Sequence, residues 1–276
     1  MNGPDRQAVD VVLALVNAAL RERVSRPLVL GLCGAQGSGK TTLAQAISRR
    51  LETQGLGVAT LSLDDLYLSR ARRARLARDV HPLFATRGPP GTHDVALGLA
   101  ILEALDRGER VRLPRFDKAR DEPSPEDDWP LAPAQCDVLL FEGWCVGAVA
   151  QEQAELAFPA NALEAAEDPA LVWRGFANRQ LDGPYRALFA RIDRLVLLAA
   201  PGFDVVAGWR GEQESALRGG APPGSPGLMD DTALVRFVAH YERLTRHILK
   251  EMPARADVVL RLDGARRVVQ VSRKEV

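Results

Sequence analysis

The chain has 276 residues with 36 basic and 36 acidic side chains, a formal net charge of zero that argues against a nucleic-acid or membrane-surface binder. That length can bury a large core without metal or disulfide staples. Cys33, Cys136 and Cys145 have neither the spacing of a zinc site nor the even count of a disulfide framework.

The first apolar stretch, residues 8–23, is amphipathic through Val9, Val12, Leu13, Val16 and Leu20 and predicts a helix that stops before Pro27. Asp5 and Asp10 around it are unlike a basic signal-peptide start, and no run approaches the roughly 18 apolar residues of a membrane span. The expected setting is soluble, reducing and cytoplasmic, with no membrane and no nucleic-acid partner. Leu28 to Cys33 is a short apolar run suited to a buried parallel strand. It runs into Gly34-Ala35-Gln36-Gly37-Ser38-Gly39-Lys40-Thr41, a complete G-x-x-x-x-G-K-[ST] phosphate loop, and then a helix over Thr42 to Leu51 with its apolar face at Leu43, Ala46, Ile47 and Leu51. Backbone N–H groups from Gly34 to Thr42 and the positive helix end then surround a phosphate. Lys40 would reach the β- and γ-phosphates of a nucleoside triphosphate, and the Thr41 hydroxyl would ligate Mg²⁺. Glycine at 34, 37 and 39 lets the loop curl without Cβ clashes.

A second strand, Val58 to Leu63, leads into Asp64-Asp65-Leu66-Tyr67. A carboxylate at that strand end is placed to take a proton from an attacking hydroxyl, with Asp64 the first choice; either Asp also suits the N-cap of a helix starting near Leu66. Arg70 to Arg75 is the strongest basic run and reads as a solvated helix face. Thr86-Arg87-Gly88-Pro89-Pro90-Gly91-Thr92-His93-Asp94 precedes a helix over Val95 to Leu105, and Leu113-Pro114-Arg115-Phe116-Asp117-Lys118 repeats its charged-loop character. Arg87, His93, Arg115 and Lys118 are candidates for holding an anionic substrate, with Asp65 and Tyr67 beside them. Asp121 to Pro133 is acidic and Pro-rich and reads as an exposed connection.

Asp137 to Phe141 is a further strand, and Glu142 after it occupies the Walker-B place, where it would join Thr41 in the Mg²⁺ shell. Helical pattern over 163–191 breaks near Pro169 and Pro184, a strand follows at Leu195 to Ala199, and a helix at Thr232 to Lys250 leads to a strand at Val258 to Leu262. His240 and His247 are seven apart, not the i, i+4 of a helical zinc pair. Arg210 precedes the Gly/Pro-rich segment 219–231 and predicts a lid arginine, the lid spanning about 204–231. Strands alternating with helices imply one α/β domain over 1–276, a P-loop NTPase-type, mostly parallel sheet with helices on both faces and its site at the carboxyl ends of strands.

Taken together, the loop Gly34 to Thr41, Leu63-Asp64-Asp65-Leu66-Tyr67, Thr86-Arg87-Gly88 with Pro90 to Asp94, Leu113 to Lys118, Phe141-Glu142-Gly143-Trp144 and His240 to Thr245 resemble the phosphoribulokinase/uridine kinase group of P-loop kinases. Within it, the chain looks most like the plant-type D-glycerate 3-kinase family, over about residues 28–263. The resemblance implies an ATP- and Mg²⁺-dependent small-molecule kinase, with Asp64 as base, Glu142 as the Walker-B acid and a glycerate-like hydroxy acid as acceptor. Nucleoside kinases of the group tend to have an aromatic residue where Leu66 stands. Other small hydroxyl acceptors of the uridine or pantothenate kind, and a nucleotide-binding switch without an acceptor, stay open. The chain by itself tells neither the oligomeric state nor a preference for ATP over GTP.

Overall fold

The structure, a computed structural model, describes residues 5–22, 27–220 and 228–274. Helix α1 (Arg6–Glu22) buries Val9, Val12, Leu13 and Val16, the stripe its periodicity predicts. Strand β1 (Leu28–Gly34) is buried at every residue and feeds the phosphate loop and α2 (Lys40–Glu52). Then come β2 (Val58–Ser62), α3 (Arg70–Asp79), α4 (Val95–Asp106), and the two-residue strands β3 (Phe116–Asp117) and β4 (Glu122–Pro123). After β5 (Val138–Gly143) the chain forms α5 (Ala162–Glu167), α6 (Val172–Gln180) and α7 (Arg186–Phe189), followed by β6 (Arg194–Ala199), α8 (Asp204–Gly220) and α9 (Asp231–Glu251). Strands β7 (Val258–Leu262) and β8 (Val268–Arg273) close the order.

Six strands form one sheet in the order β2-β5-β1-β6-β7-β8, parallel except for β8. Side-chain alternation along the apolar strands divides the core in two. Leu28, Leu30, Leu32, Val138, Leu140, Val196 and Leu198 pack with the buried faces of α1 and α2. Val29, Cys33, Leu139, Phe141, Leu195 and Leu197 pack with Ile101, Leu188, Phe237 and Tyr241 on the other face. Each such buried Leu or Phe contributes about 1.5–3 kcal/mol of hydrophobic free energy. Among the described residues no helix is long and apolar enough to cross a membrane, and no His/Cys/Asp/Glu cluster has metal-binding geometry.

The structure departs from the sequence reading at two strands. Strand β5 continues through Glu142 and Gly143, so the Walker-B acid lies within the strand and pairs in register with Leu32 of β1 and Ser62 of β2. Strand β8 is an antiparallel edge whose Gln270, Ser272 and Arg273 carry no apolar signal. The predicted break near Pro184 is present: Gly183, at φ −106° and ψ −105°, leaves the helical region and kinks the chain between α6 and α7. Within the segment read as a possible lid, 204–220 form the helix α8, and 221–227 lie outside the described residues.

Candidate active site

The phosphate loop connects β1 to α2 and is closed by Ser38 N–H donating to the Ala35 carbonyl at 3.2 Å. Gly37 and Gly39 have φ of 75° and 93°, in the left-handed region that glycine enters without strain. Gly39 caps α2 with no side-chain bond and the first turn holds no acid, so the helix start is open to an anion. The Gln36 amide and the Ser38 hydroxyl are buried with no hydrogen-bond partner among the described residues. Buried polar groups of this kind call for a ligand to complete them, and phosphate oxygens could accept from the Gln36 Nε2 and Ser38 hydroxyl donors. Lys40 is buried and its Nζ donates to the Ala35 carbonyl at 3.1 Å, whereas Thr41 and Thr42 face outward. The Thr41 hydroxyl donates to Glu142 Oε1 at 3.1 Å. One hydroxyl and one carboxylate at the mouth of a phosphate loop form an oxygen donor set suited to Mg²⁺. Cys33, beneath the loop, has its thiol pushed up to about 12 by burial against the pull of Lys40, and it packs as a small apolar residue.

Beside this loop, β2 ends in a single 3-10 turn, Leu63–Leu66. Ser62 caps that turn and Ser69 caps α3, so neither Asp64 nor Asp65 serves as a helix cap. Both carboxylates instead meet cations from the 113–118 loop. Lys118 Nζ donates to Asp64 Oδ2 at 2.6 Å, and Arg115 lies 3.5 Å from Asp65 Oδ2. The Tyr67 hydroxyl donates to Asp64 Oδ1 at 2.8 Å, and Phe116 N–H donates to Asp65 Oδ1 at 3.0 Å. Burial alone would raise the Asp64 carboxyl, but the Lys118 ammonium and the Tyr67 hydroxyl outweigh it and hold Asp64 well below the usual carboxylate range. For Asp65 burial wins over Arg115, raising it to about 6.

Backbone bonds bring the third motif to the same place. Leu68 N–H donates to the Thr92 carbonyl and Asp94 N–H to the Leu66 carbonyl, so Tyr67 lies against His93 with their rings stacked 4.7 Å apart. Gly88, at φ 122°, is where a Cβ would collide with the Tyr241 hydroxyl, which donates to the Arg87 carbonyl at 2.9 Å. Trp144 Nε1–H donates to the Gly88 carbonyl at 3.2 Å, so the residue after the Walker-B strand also grips this loop.

Several predicted site residues take other parts. Arg87 is buried, 2.5 Å from Asp121, with its guanidinium near the rings of Phe116 and Phe237; its charge is matched inside the protein rather than held for a ligand. His93 is pushed down to about 3 by burial and is neutral at pH 7, so it offers no cation to an anionic substrate. Its Nδ1 accepts from the Tyr185 hydroxyl at 2.5 Å, which in turn accepts from Gly91 N–H, leaving the proton on Nε2, a buried donor with no partner among the described residues. Arg210 is buried in α8, paired with Glu214 at 2.8 Å and set over Phe237. The basic run is not a uniform solvated face: Arg73 is 1% exposed and pairs with Asp121, because the supposedly exposed acidic connection folds Asp121 back between Arg73 and Arg87.

Two residues at the phosphate loop have no local sequence signal. Arg266, in the turn between β7 and β8 and at φ 65°, donates from Nε to the Gly37 carbonyl at 2.6 Å, with its guanidinium 5.2 Å from the Trp209 ring. Trp209 of α8 packs where a Cβ on Gly37 would stand and donates from Nε1 to the Gly264 carbonyl. Helix α8 and the C-terminal hairpin thus buttress the loop from one side.

Residues 29–157 match the Phosphoribulokinase / Uridine kinase family. The chain is 36% identical over 226 residues to the uncharacterized kinase mug58 of Schizosaccharomyces pombe, covering 78% of this chain and 79% of that protein. It belongs to the phosphoribulokinase/uridine kinase family. As a member of that family it is a P-loop kinase, an ATP-dependent phosphotransferase with a hydroxyl group as acceptor. The D-glycerate 3-kinase of Arabidopsis thaliana chloroplasts is 31% identical over 245 residues, 84% of this chain but 50% of that protein. A solved D-glycerate 3-kinase from Cryptococcus neoformans superposes with a TM-score of 0.79 at 24% identity, covering 96% of this chain and 99% of the other, a likeness of fold.

Proposed function

We propose that this kinase transfers the γ-phosphoryl group of ATP to the 3-hydroxyl of D-glycerate, giving 3-phosphoglycerate and ADP. The observation that carries the reading is the pairing of Asp64 and Asp65 with Lys118 and Arg115 at the carboxyl end of β2. It sets a proton acceptor and two half-exposed cations side by side, the complement of a small molecule with a hydroxyl and a carboxylate. The name of the 31% identical Arabidopsis relative supports the same acceptor.

In this reading Asp64 takes the hydroxyl proton as the oxygen attacks phosphorus, while Arg115 and Lys118 hold the carboxylate. Arg87 anchors the loop instead of touching substrate, and the neutral Nε2–H of His93 is available to a substrate oxygen. Lys40 and the open start of α2 neutralise the phosphates. Thr41 and Glu142 would hold Mg²⁺, which supplies positive charge against the developing phosphoryl charge.

The test is ATP consumption with D-glycerate, glycerol, pantothenate and uridine as acceptors. Glycerate is expected to exceed glycerol in kcat/KM by roughly 10³-fold or more, since a missing carboxylate leaves the cations unpaired. Asp64→Asn is expected to lower kcat by about 10²–10⁴-fold. Equal turnover of glycerol or uridine would leave the family assignment and remove the acceptor.

A further inference from the structure

Both oxygens of Asp64 are occupied by donors from its own protein, the Lys118 ammonium at 2.6 Å and the Tyr67 hydroxyl at 2.8 Å. A carboxylate engaged in this way has little capacity to draw a proton from an approaching oxygen. The two donors differ in freedom. Tyr67 is 5% exposed and fixed between His93 and Phe116, whereas the Lys118 side chain is 46% exposed on the connection between β3 and β4. Only Lys118 can leave Asp64 by a change of side-chain rotamer. Its neighbour Arg115 stands 3.5 Å from Asp65, a looser pair on the same loop. A carboxylate arriving between Lys118 and Arg115 offers the ammonium a partner of the same chemistry as the one it holds.

We propose that Lys118 is a lock on the base: it restrains Asp64 until the carboxylate of an anionic acceptor draws it away. The proposal rests on the reading of Asp64 as the base and goes beyond it by tying the base's release to the charge of the acceptor. Its consequence is suppression of ATP hydrolysis. Water reaches any open phosphate site, and an unrestrained Asp64 would accept a water proton while the water oxygen bonds to the γ-phosphorus. The bond from that phosphorus to the bridging oxygen would break, with its electron pair leaving on ADP and phosphate as the second product. With Lys118 in place, water meets a restrained carboxylate, and only an acceptor bearing its own anion releases it.

The experiment measures ADP formation from MgATP without acceptor in the parent enzyme, Lys118→Met, Lys118→Arg, and Lys118→Met combined with Asp64→Asn. Lys118→Met is expected to raise hydrolysis about tenfold or more, part of the worth of a general base. Lys118→Arg, which keeps the charge, is expected to raise hydrolysis less than Lys118→Met does, and adding Asp64→Asn to Lys118→Met is expected to abolish the gain. D-lactate, which has the carboxylate and 2-hydroxyl of glycerate but no 3-hydroxyl, is expected to stimulate hydrolysis in the parent and not in Lys118→Met. Unchanged hydrolysis in Lys118→Met overturns the lock, as does a gain that survives Asp64→Asn. The arms without acceptor do not depend on what the acceptor is. A gain in Lys118→Met with neither glycerate turnover nor a D-lactate effect therefore supports the lock and overturns the glycerate reading.

Discussion

The Thr41 hydroxyl donates to Glu142 Oε1 at 3.1 Å, joining the first turn of α2 to the end of β5 across the mouth of the phosphate loop. The register explains the meeting: β5 lies beside β1, with Glu142 opposite Leu32, two residues before the loop begins. Glu142→Gln keeps the shape and removes the charge. The Mg²⁺ concentration for half-maximal activity is expected to rise about 10–100-fold with Tm little changed. A magnesium titration identical to the parent's would take Glu142 out of the metal shell.

Asp65 is raised to about 6 by burial, from an ordinary value of 3.8. The folded protein therefore binds its proton more tightly than the unfolded chain does, so ionising Asp65 lowers stability as pH rises through that window. Protonation on the way down removes the partner of Arg115. In the parent, kcat/KM for the acceptor is expected to fall below about pH 6, and Asp65→Asn is expected to lack that limb. Asp64, held low, does not titrate in this range. A limb that persists in Asp65→Asn assigns it to another group.

Asp121 bonds to two buried guanidiniums, those of Arg73 and Arg87, from a left-handed backbone position at φ 58°. Asparagine tolerates that backbone, so Asp121→Asn isolates the charge. Leaving the two cations without a counter-charge is expected to cost about 3–5 kcal/mol, read from urea denaturation. A cost under about 1 kcal/mol, the range of an exposed pair, would show that solvent reaches these guanidiniums.

Arg266→Asn should act on the nucleotide alone. It removes the bond to the Gly37 carbonyl and the stacking on Trp209 while suiting the left-handed backbone. A charge-assisted bond of this kind is worth about tenfold, expected as a rise in KM for ATP with KM for the acceptor unchanged. Equal changes in both would mean that the C-terminal hairpin supports the whole site, not the loop.

Local chemistry made much of this protein legible from residues alone. Strand β1, the phosphate loop and α2 were readable because a G-x-x-x-x-G-K-T run between an apolar strand and an amphipathic helix has one well-known geometry. The parallel α/β class followed from short apolar strands alternating with helices, since strands buried on both faces are apolar throughout. Asp64, Asp65 and Glu142 were found because each stands at or near a strand end, where such sheets place their chemistry. Tertiary structure decided the charges. Arg87, His93, Arg115 and Lys118 look alike in a sequence as polar loop residues, yet burial neutralises His93, Asp121 claims Arg87, and Lys118 and Arg115 face the two aspartates. The same holds for Arg73, hidden within an apparently solvated basic run, and for Arg266, which reaches Gly37 from 229 residues away. A side chain's charge state and partner depend on desolvation and on neighbours distant along the chain, and only the folded chain sets either one.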